Sequence, residues 1–403
     1  MLRISKKIDK CLLSKKKVSK IIDLGIHPFA DTFVKKNQLH KVEPIFPLQC
    51  YMCKQSGHVQ LGRATLEEKR YNMYSYSYTS SNSKFSREHW KNFHTSVTKK
   101  FNINNNKILE IGSNDGYLLG LFKKNNNVLG IDASKEMSKI ATQNFNIPTL
   151  NYTFSTKIVP SILRSSGKFD LIVANNVLNH SNNPINFFAA VKKLLKKNGL
   201  FIFEVPNWGV AIKKNKFDQI YHEHVSYFTF KSIYYLIQKS KFKIIYFKKI
   251  NYHGGSLRVV IGFNENKKYK KLLKSEICKE IDSGLFKIKT YKQFFQKILT
   301  KKKLILKKLN KAKSLGYAIV GIGAAAKANT WLVFNEINSK ILNCITDASK
   351  YKIGKFTPFT RIPIKNDEVL RKYKKLYVII LSWNISHLLK IKLKKINSNI
   401  KFL

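Results

Sequence analysis

A chain of 403 residues is long enough for two or three domains, and its 44% hydrophobic content excludes wholesale disorder. No apolar run reaches the roughly 18–20 residues of a membrane-spanning helix. Lys and Arg number 75 against 23 acids, a net charge of +52 that ordinarily points to nucleic acid or an anionic membrane.

Two details turn that charge into solvated surface. Only eight of the cations are Arg, the side chain suited to bidentate recognition of phosphates and bases. The lysines also accompany asparagine runs such as Asn104–Asn106 and Asn125–Asn127, which is a bias of composition. The expectation is no membrane partner and no nucleic-acid partner. The opening residues Met1–Lys10 are basic but lack the apolar stretch of a secretory signal. The five cysteines are too few and scattered for a disulfide framework. Both features predict a cytoplasmic protein.

In chain order, residues 1–70 read as a small module with a hairpin-like cysteine segment. From Lys107 the pattern becomes strand, turn and helix. Ile108–Ile111 is a short apolar strand, Gly112-Ser113-Asn114-Asp115-Gly116 a turn, and Tyr117–Phe122 a helix. Val128–Asp132, Phe169–Asn175 and Gly199–Val205 read as further strands. This alternation predicts an α/β fold with a parallel, doubly wound sheet, a Rossmann-like unit. Residues 265–315 carry Leu272, Ile277, Ile281 and Leu285 at helical spacing, which predicts a helix with a basic solvated face. A second Rossmann-like unit follows, with strand Tyr317–Val320, a small-residue loop Gly321–Lys327 and a helix. Later strands are expected at Cys344–Asp347 and Leu376–Ile380.

Three patterns carry chemistry. Glu110, Gly112 and Gly116 surround the first turn, and Asp132 ends the next strand, placed to hold a ribose diol. The Gly-x-Gly of the dinucleotide fingerprint is missing, and Glu-x-Gly-x-x-x-Gly resembles the S-adenosylmethionine (SAM) loop of class I methyltransferases. Asn114, Asp115 and Asn175 join that candidate cofactor set. The loop Gly321-Ile322-Gly323-Ala324-Ala325-Ala326-Lys327 opens a helix whose N-terminus suits phosphate oxygens, with Lys327 as a point charge. Tyr221-His222-Glu223-His224 gathers two imidazoles, a carboxylate and a phenol; histidine is the natural general base near neutral pH.

Taken together, Tyr221–Phe228, His253-Gly254-Gly255-Ser256-Leu257-Arg258-Val259 and Gly321–Thr330 resemble the SAM-dependent nucleotide-sugar C-methyltransferases of the tetronitrose-biosynthesis type. Leu24–Phe33, Phe46-Pro47-Leu48, Gly57–Leu61, Tyr76–Ser81 and Gly354–Pro358 fit the same pattern. The resemblance implies a zinc-binding-like module over 1–70, a SAM domain over 71–245, and a Rossmann-like domain over 246–403 that helps bind the nucleotide sugar. It implies methylation at C-3 of a 4-keto-6-deoxy sugar through an enolate. His224 matches the base, with Tyr221, Glu223, His180, Tyr76 and Tyr78 around it. The substrate set would be His253, Gly254, Gly255, Ser256, Arg258, Gly321, Gly323, Ala324, Ala325, Lys327, Asn329 and Thr330.

The zinc module departs from the family. Each of its two Cys-x-x-Cys pairs has lost the second thiolate, at Cys11-Leu12-Leu13-Ser14 and Cys53-Lys54-Gln55-Ser56. Cys50 and Cys53 form a Cys-x-x-Cys out of register, so any retained zinc would draw on Cys11, Cys50, Cys53 and a nearby His. The expectation is no tightly bound zinc and a module held by packing. Ala328 and Phe359 stand where the family usually has Gly. Competing readings are a SAM-dependent enzyme with another acceptor, such as a sugar oxygen, and a basic RNA-binding protein.

Overall fold

A computed structural model describes residues 4–72 and 79–403. By contacts the chain divides into two compact units that interleave in sequence. The first comprises Met1–Lys20, Tyr51–Val210 and Val225–Lys287; the second comprises Ile21–Cys50, Ala211–His224 and Ile288–Leu403.

The first unit is built on a seven-stranded sheet. From one edge its order is Lys243–Ile250, Ser256–Gly262, Leu195–Pro206, Phe169–Asn175, Lys107–Ile111, Asn127–Asp132 and Thr149–Asn151. All neighbours run parallel except Ser256–Gly262, which is antiparallel to both of its own. Strand Lys107–Ile111 is buried on both faces, as a parallel strand covered by helices must be. Ile108, Leu171 and Val173 face one apolar cluster, whereas Leu109, Ile172 and Ala174 face another. The chain runs outward from Lys107–Ile111 to one edge, then returns to its other side at Phe169–Asn175. That reversal opens a crevice beyond the carboxyl ends of these strands, where α/β folds bind ligands.

The second unit holds a wholly parallel five-stranded sheet, ordered Ile364–Lys365, Cys344–Thr346, Ala318–Ile322, Leu376–Ile380 and Ile400–Phe402. Helix Ala326–Phe334 follows the small-residue loop, as the sequence pattern implies.

The architecture is α/β with two Rossmann-like sheets. It differs from the sequence expectation in three places. Residues 246–287 complete the first unit, because the hairpin Lys243–Gly262 closes the edge of the seven-stranded sheet. Residues 1–70 are divided between the units: Cys11, Leu13 and Cys53 join the apolar cluster of Ile233 and Leu236, while Phe33 joins that of Leu332 and Ile345. The basic stretch 265–315 is two helices, Lys267–Asp282 and Ile288–Ser314, separated at Gly284, whose φ is +72°. In the first helix Leu272 and Ile281 are exposed and the buried positions are Leu273 and Glu280. No helix among the described residues is long and apolar enough to cross a membrane.

Candidate active site

In the first unit, Gly112 has φ +70° and a Cβ there would lie 2.2 Å from Val177 Cγ2, so only glycine lets this turn pack. Asn114 donates its backbone N–H to Asp132 Oδ2 at 2.8 Å, and Ser134 donates to Oδ1 at 2.8 Å. The loop is thereby tied to the end of the next strand. Asp115 accepts Ser80 Oγ at 2.5 Å, Ser81 N at 3.0 Å and Ser81 Oγ at 2.6 Å. Burial, with Asp115 and Asp132 nearby, pushes the Glu110 carboxyl well above the usual range; burial raises Asp132 to about 6.

Around this turn several buried polar atoms have no hydrogen-bond partner among the described residues: Glu110 Oε2, Ser113 Oγ, and both side-chain polar atoms of Asn175 and of Asn179. Buried polar groups are rarely left unpaired without a ligand or water to meet them. An adenosyl amino acid, with its ribose diol, amine and carboxylate, supplies such partners. Of the sequence candidates, Glu110 and Asn175 carry such unmet atoms, while Asp132 and the glycines Gly112 and Gly116 shape the turn; Asn114 Oδ1 accepts Ser80 N at 2.8 Å. Asp115 likewise holds the Ser80–Ser81 segment. Asn179 was not among the sequence candidates, and only its orphaned amide marks it.

His180 also lies in the first unit. Its Nδ1 is 2.7 Å from the Tyr71 hydroxyl and its carbonyl accepts Arg70 Nη1 at 2.6 Å. Arg70 further binds the Thr65 carbonyl and Asn182 Oδ1, both at 2.9 Å. Arg70 and Tyr71 stand 110 and 109 residues from His180, so their approach leaves no local signal in the sequence. Tyr76 and Tyr78 lie outside the described residues.

The hairpin loop at His253, Gly254 and Gly255 has φ of +50°, +87° and +133°. Ser256 Oγ donates to the Tyr252 carbonyl at 3.0 Å. Arg258 is buried, with Nε on Glu204 Oε1 at 2.7 Å and Nη1 on Ser96 Oγ at 2.8 Å; His89 takes the other Glu204 oxygen at 2.8 Å. Arg258 thus neutralises a buried carboxylate inside the first unit.

In the second unit, His224 Nδ1 lies 3.0 Å from the Gln219 carbonyl and Nε2 lies 2.6 Å from the Tyr221 hydroxyl. A carbonyl only accepts, so Nδ1 carries the proton in the neutral ring and Nε2 keeps a lone pair that takes the Tyr221 O–H. Glu223 is buried, and its Oε1 accepts the backbone N–H groups of Ala30 at 3.1 Å and Asp31 at 3.2 Å. His222 is fully buried against the rings of Phe29 and Phe46, as a core side chain. Thr330 Oγ1 donates to the Ile220 carbonyl at 2.9 Å, and Asn329 Nδ2 to the Ala30 carbonyl. Thr330 thus holds the backbone entering Tyr221–His224, and Asn329 holds the Ala30 backbone that Glu223 also binds.

The loop before them needs its glycines. A Cβ on Gly323, whose φ is +92°, would fall 2.0 Å from Ser382 Oγ, and one on Gly321 2.9 Å from Leu381. Ala324 N donates to Asp347 Oδ2 at 2.7 Å, and its carbonyl accepts Lys352 Nζ at 2.8 Å. Lys327 lies 4.3 Å from the Trp383 ring centre and donates to Asn384 Oδ1 at 2.5 Å; Lys216 lies 3.7 Å from the same ring. Buried Asp218 accepts the Trp383 indole N–H. Burial lowers Lys327 to about 8, against the pull of Asp218. The structure therefore divides the sequence-predicted substrate set, with residues 253–258 in the first unit and 321–330 in the second.

The fold, the Gly112–Gly116 turn and the acid at Asp132 define a class I SAM-dependent methyltransferase. Three family models match consecutive stretches: a zinc binding domain over residues 11–71, a methyltransferase domain over 84–246 and the C-methyltransferase C-terminal domain over 251–402. C-methyltransferase NovU of Streptomyces niveus is 23% identical over 367 residues, covering 90% of this chain and 87% of that protein. Ubiquinone biosynthesis O-methyltransferase of Pelagibacter ubique is 32% identical over 107 residues, covering 26% of this chain and 44% of its own length. A SAM-dependent methyltransferase structure from Clostridium acetobutylicum matches with TM-score 0.36 at 17% identity, covering 44% of this chain and 92% of that one. All three modules of a C-methyltransferase are matched in order, and the likeness to that family runs over nearly the whole chain.

Among the described residues no three His, Cys, Asp or Glu side chains gather as a metal site. Cys11 and Cys53 lie together with Ser14 and Ser56, while Cys50 belongs to the second unit.

Proposed function

We propose that this SAM-dependent C-methyltransferase acts on a nucleoside-diphosphate-linked 4-keto-6-deoxy sugar, at C-3, in the cytoplasm. The observation that supports it most is the His224–Tyr221 pair. The Gln219 carbonyl holds the proton on Nδ1 and leaves Nε2 as a base. A ketone acidifies the adjacent C–H, so a neutral imidazole suffices to remove that proton, and the Tyr221 hydroxyl is a donor for the enolate oxygen. When bound, SAM supplies the methyl group; the task of this chain is to make the carbon nucleophile. Glu223, Asn329 and Thr330 hold the backbone around the pair, and His180 with Tyr71 is a second phenol–imidazole pair, in the first unit. Lys327 and Lys216 are the cations we assign to the diphosphate. NovU, a C-methyltransferase by name and similar over 90% of the chain, supports carbon rather than oxygen as the acceptor.

Proton removal is separable from methylation. In deuterium oxide without SAM, the enzyme should exchange the C-3 hydrogen of the keto sugar for deuterium, followed by proton NMR, and His224→Ala should not. Methylation without any such exchange, in an enzyme active on the same sugar, counts against the enolate route.

A further inference from the structure

The N-terminal turns have kept the geometry of a metal site after losing half its ligands. Cys11 N donates to the Lys16 carbonyl at 2.8 Å and Lys15 N to the Cys11 carbonyl at 2.9 Å. The second turn repeats this scheme, with Cys53 N on the His58 carbonyl at 2.9 Å and Gly57 N on the Cys53 carbonyl at 2.9 Å. The residue after each serine is left-handed, Lys15 at φ +61° and Gly57 at φ +66°. A Cys-x-x-Cys turn of this shape aims two thiolates at one tetrahedral zinc.

The two turns also face each other as ligand pairs would. Cys11 Sγ is 3.3 Å from Ser56 Oγ, and Cys53 Sγ is 3.3 Å from Ser14 Oγ, so each thiol meets the serine of the opposite turn. Ser14 N adds a 3.4 Å contact to Cys11 Sγ, and His58 N one of 3.3 Å to Ser56 Oγ. Cys11, Cys53 and Ser56 are buried in the first unit. A serine hydroxyl keeps its proton near neutral pH, whereas a zinc-bound thiol loses its own. Two of the four donors that would balance the ion are therefore neutral, and the set does not fit zinc.

We propose that crossed Cys–Ser hydrogen bonds close these paired turns without a metal, and that Ser14 and Ser56 are the two positions separating this module from a working tetrahedral zinc site. The protons of the hydroxyls and thiols do the joining that the ion does elsewhere, and the packing of Leu13 with Ile233 and Leu236 supplies the rest.

The test uses the full chain, as wild type and as the Ser14→Cys/Ser56→Cys double variant, with cobalt(II) as the spectroscopic probe. The double variant should take up about one cobalt per chain with the intense visible band of tetrahedral thiolate ligation. Zinc should displace the cobalt, and a chelator should lower the melting temperature of the zinc form. Wild type should show no such band and the same melting temperature with or without chelator. Zinc retained stoichiometrically by wild type, chelator-dependent melting of wild type, or a folded double variant that binds no cobalt would each overturn the proposal. Should the double variant not fold, Ser56→Ala decides. Removing the partner of Cys11 should lower the melting temperature in metal-free buffer, and an unchanged melt contradicts the crossed bonds.

Discussion

The Gln219 carbonyl fixes which nitrogen of His224 is the base, and with it the chemistry the pair can do. Replacing His224 by Ala should lower turnover by about 10²–10⁴-fold while leaving SAM binding unchanged by calorimetry, because His224 is assigned to the proton and not to the cofactor. Lost SAM binding in that variant would contradict the assigned role. Glu223 makes the opposite prediction. Its carboxylate accepts two buried backbone N–H groups, and orphaning each costs about 1–3 kcal/mol. Glu223→Ala should therefore lower the melting temperature markedly, and Glu223→Gln, which keeps an acceptor oxygen, should restore most of it. A full melting temperature with lost kcat would instead put Glu223 in the chemistry. Tyr221 and His224 were legible in the sequence because three residues separate them. The task of Glu223 was not, since its partners lie 193 and 192 residues away. Arg258 was obscured in the same way: the Glu204 it neutralises is 54 residues off.

At the scale of elements, the legible parts were those whose cause is local. Apolar runs ending in Gly112 or Gly321 announced strand, turn and helix, and Asp132 closes its strand where the spacing put it. The hold of Asp115 on the serines at 80 and 81, and Asn179, depend on tertiary approach and left no such mark. Gly284 divides what periodicity read as one helical stretch. The phosphate-facing assignment of the loop at Gly321–Lys327 has its own test. Lys327 titrates near pH 8, so it is cationic below that value and neutral above it. The KM for a nucleotide sugar should rise as pH passes upward through about 8–9, and Lys327→Met should raise KM at pH 7 and flatten that rise. A wild-type KM that does not change across this range would remove Lys327 from the diphosphate.

At the scale of the whole molecule, the charge of +52 is mostly a surface property: among the described residues Lys352 is the one lysine almost fully out of solvent, and Lys327 is half-buried. The three modules could be read along the sequence, and family models match them in order. The interleaving of the compact units could not, because it follows from which segments share a core. Residues 211–224, which carry the proposed base, join the second unit although they lie between strands of the first. Mass spectrometry of a panel of nucleotide-linked 4-keto-6-deoxy sugars incubated with SAM and the pure protein tests the central claim most directly. The account predicts one added methyl on the sugar of at least one member, carried on carbon and absent with His224→Ala. A methyl found on oxygen, or none on any member despite demonstrated SAM binding, would contradict it.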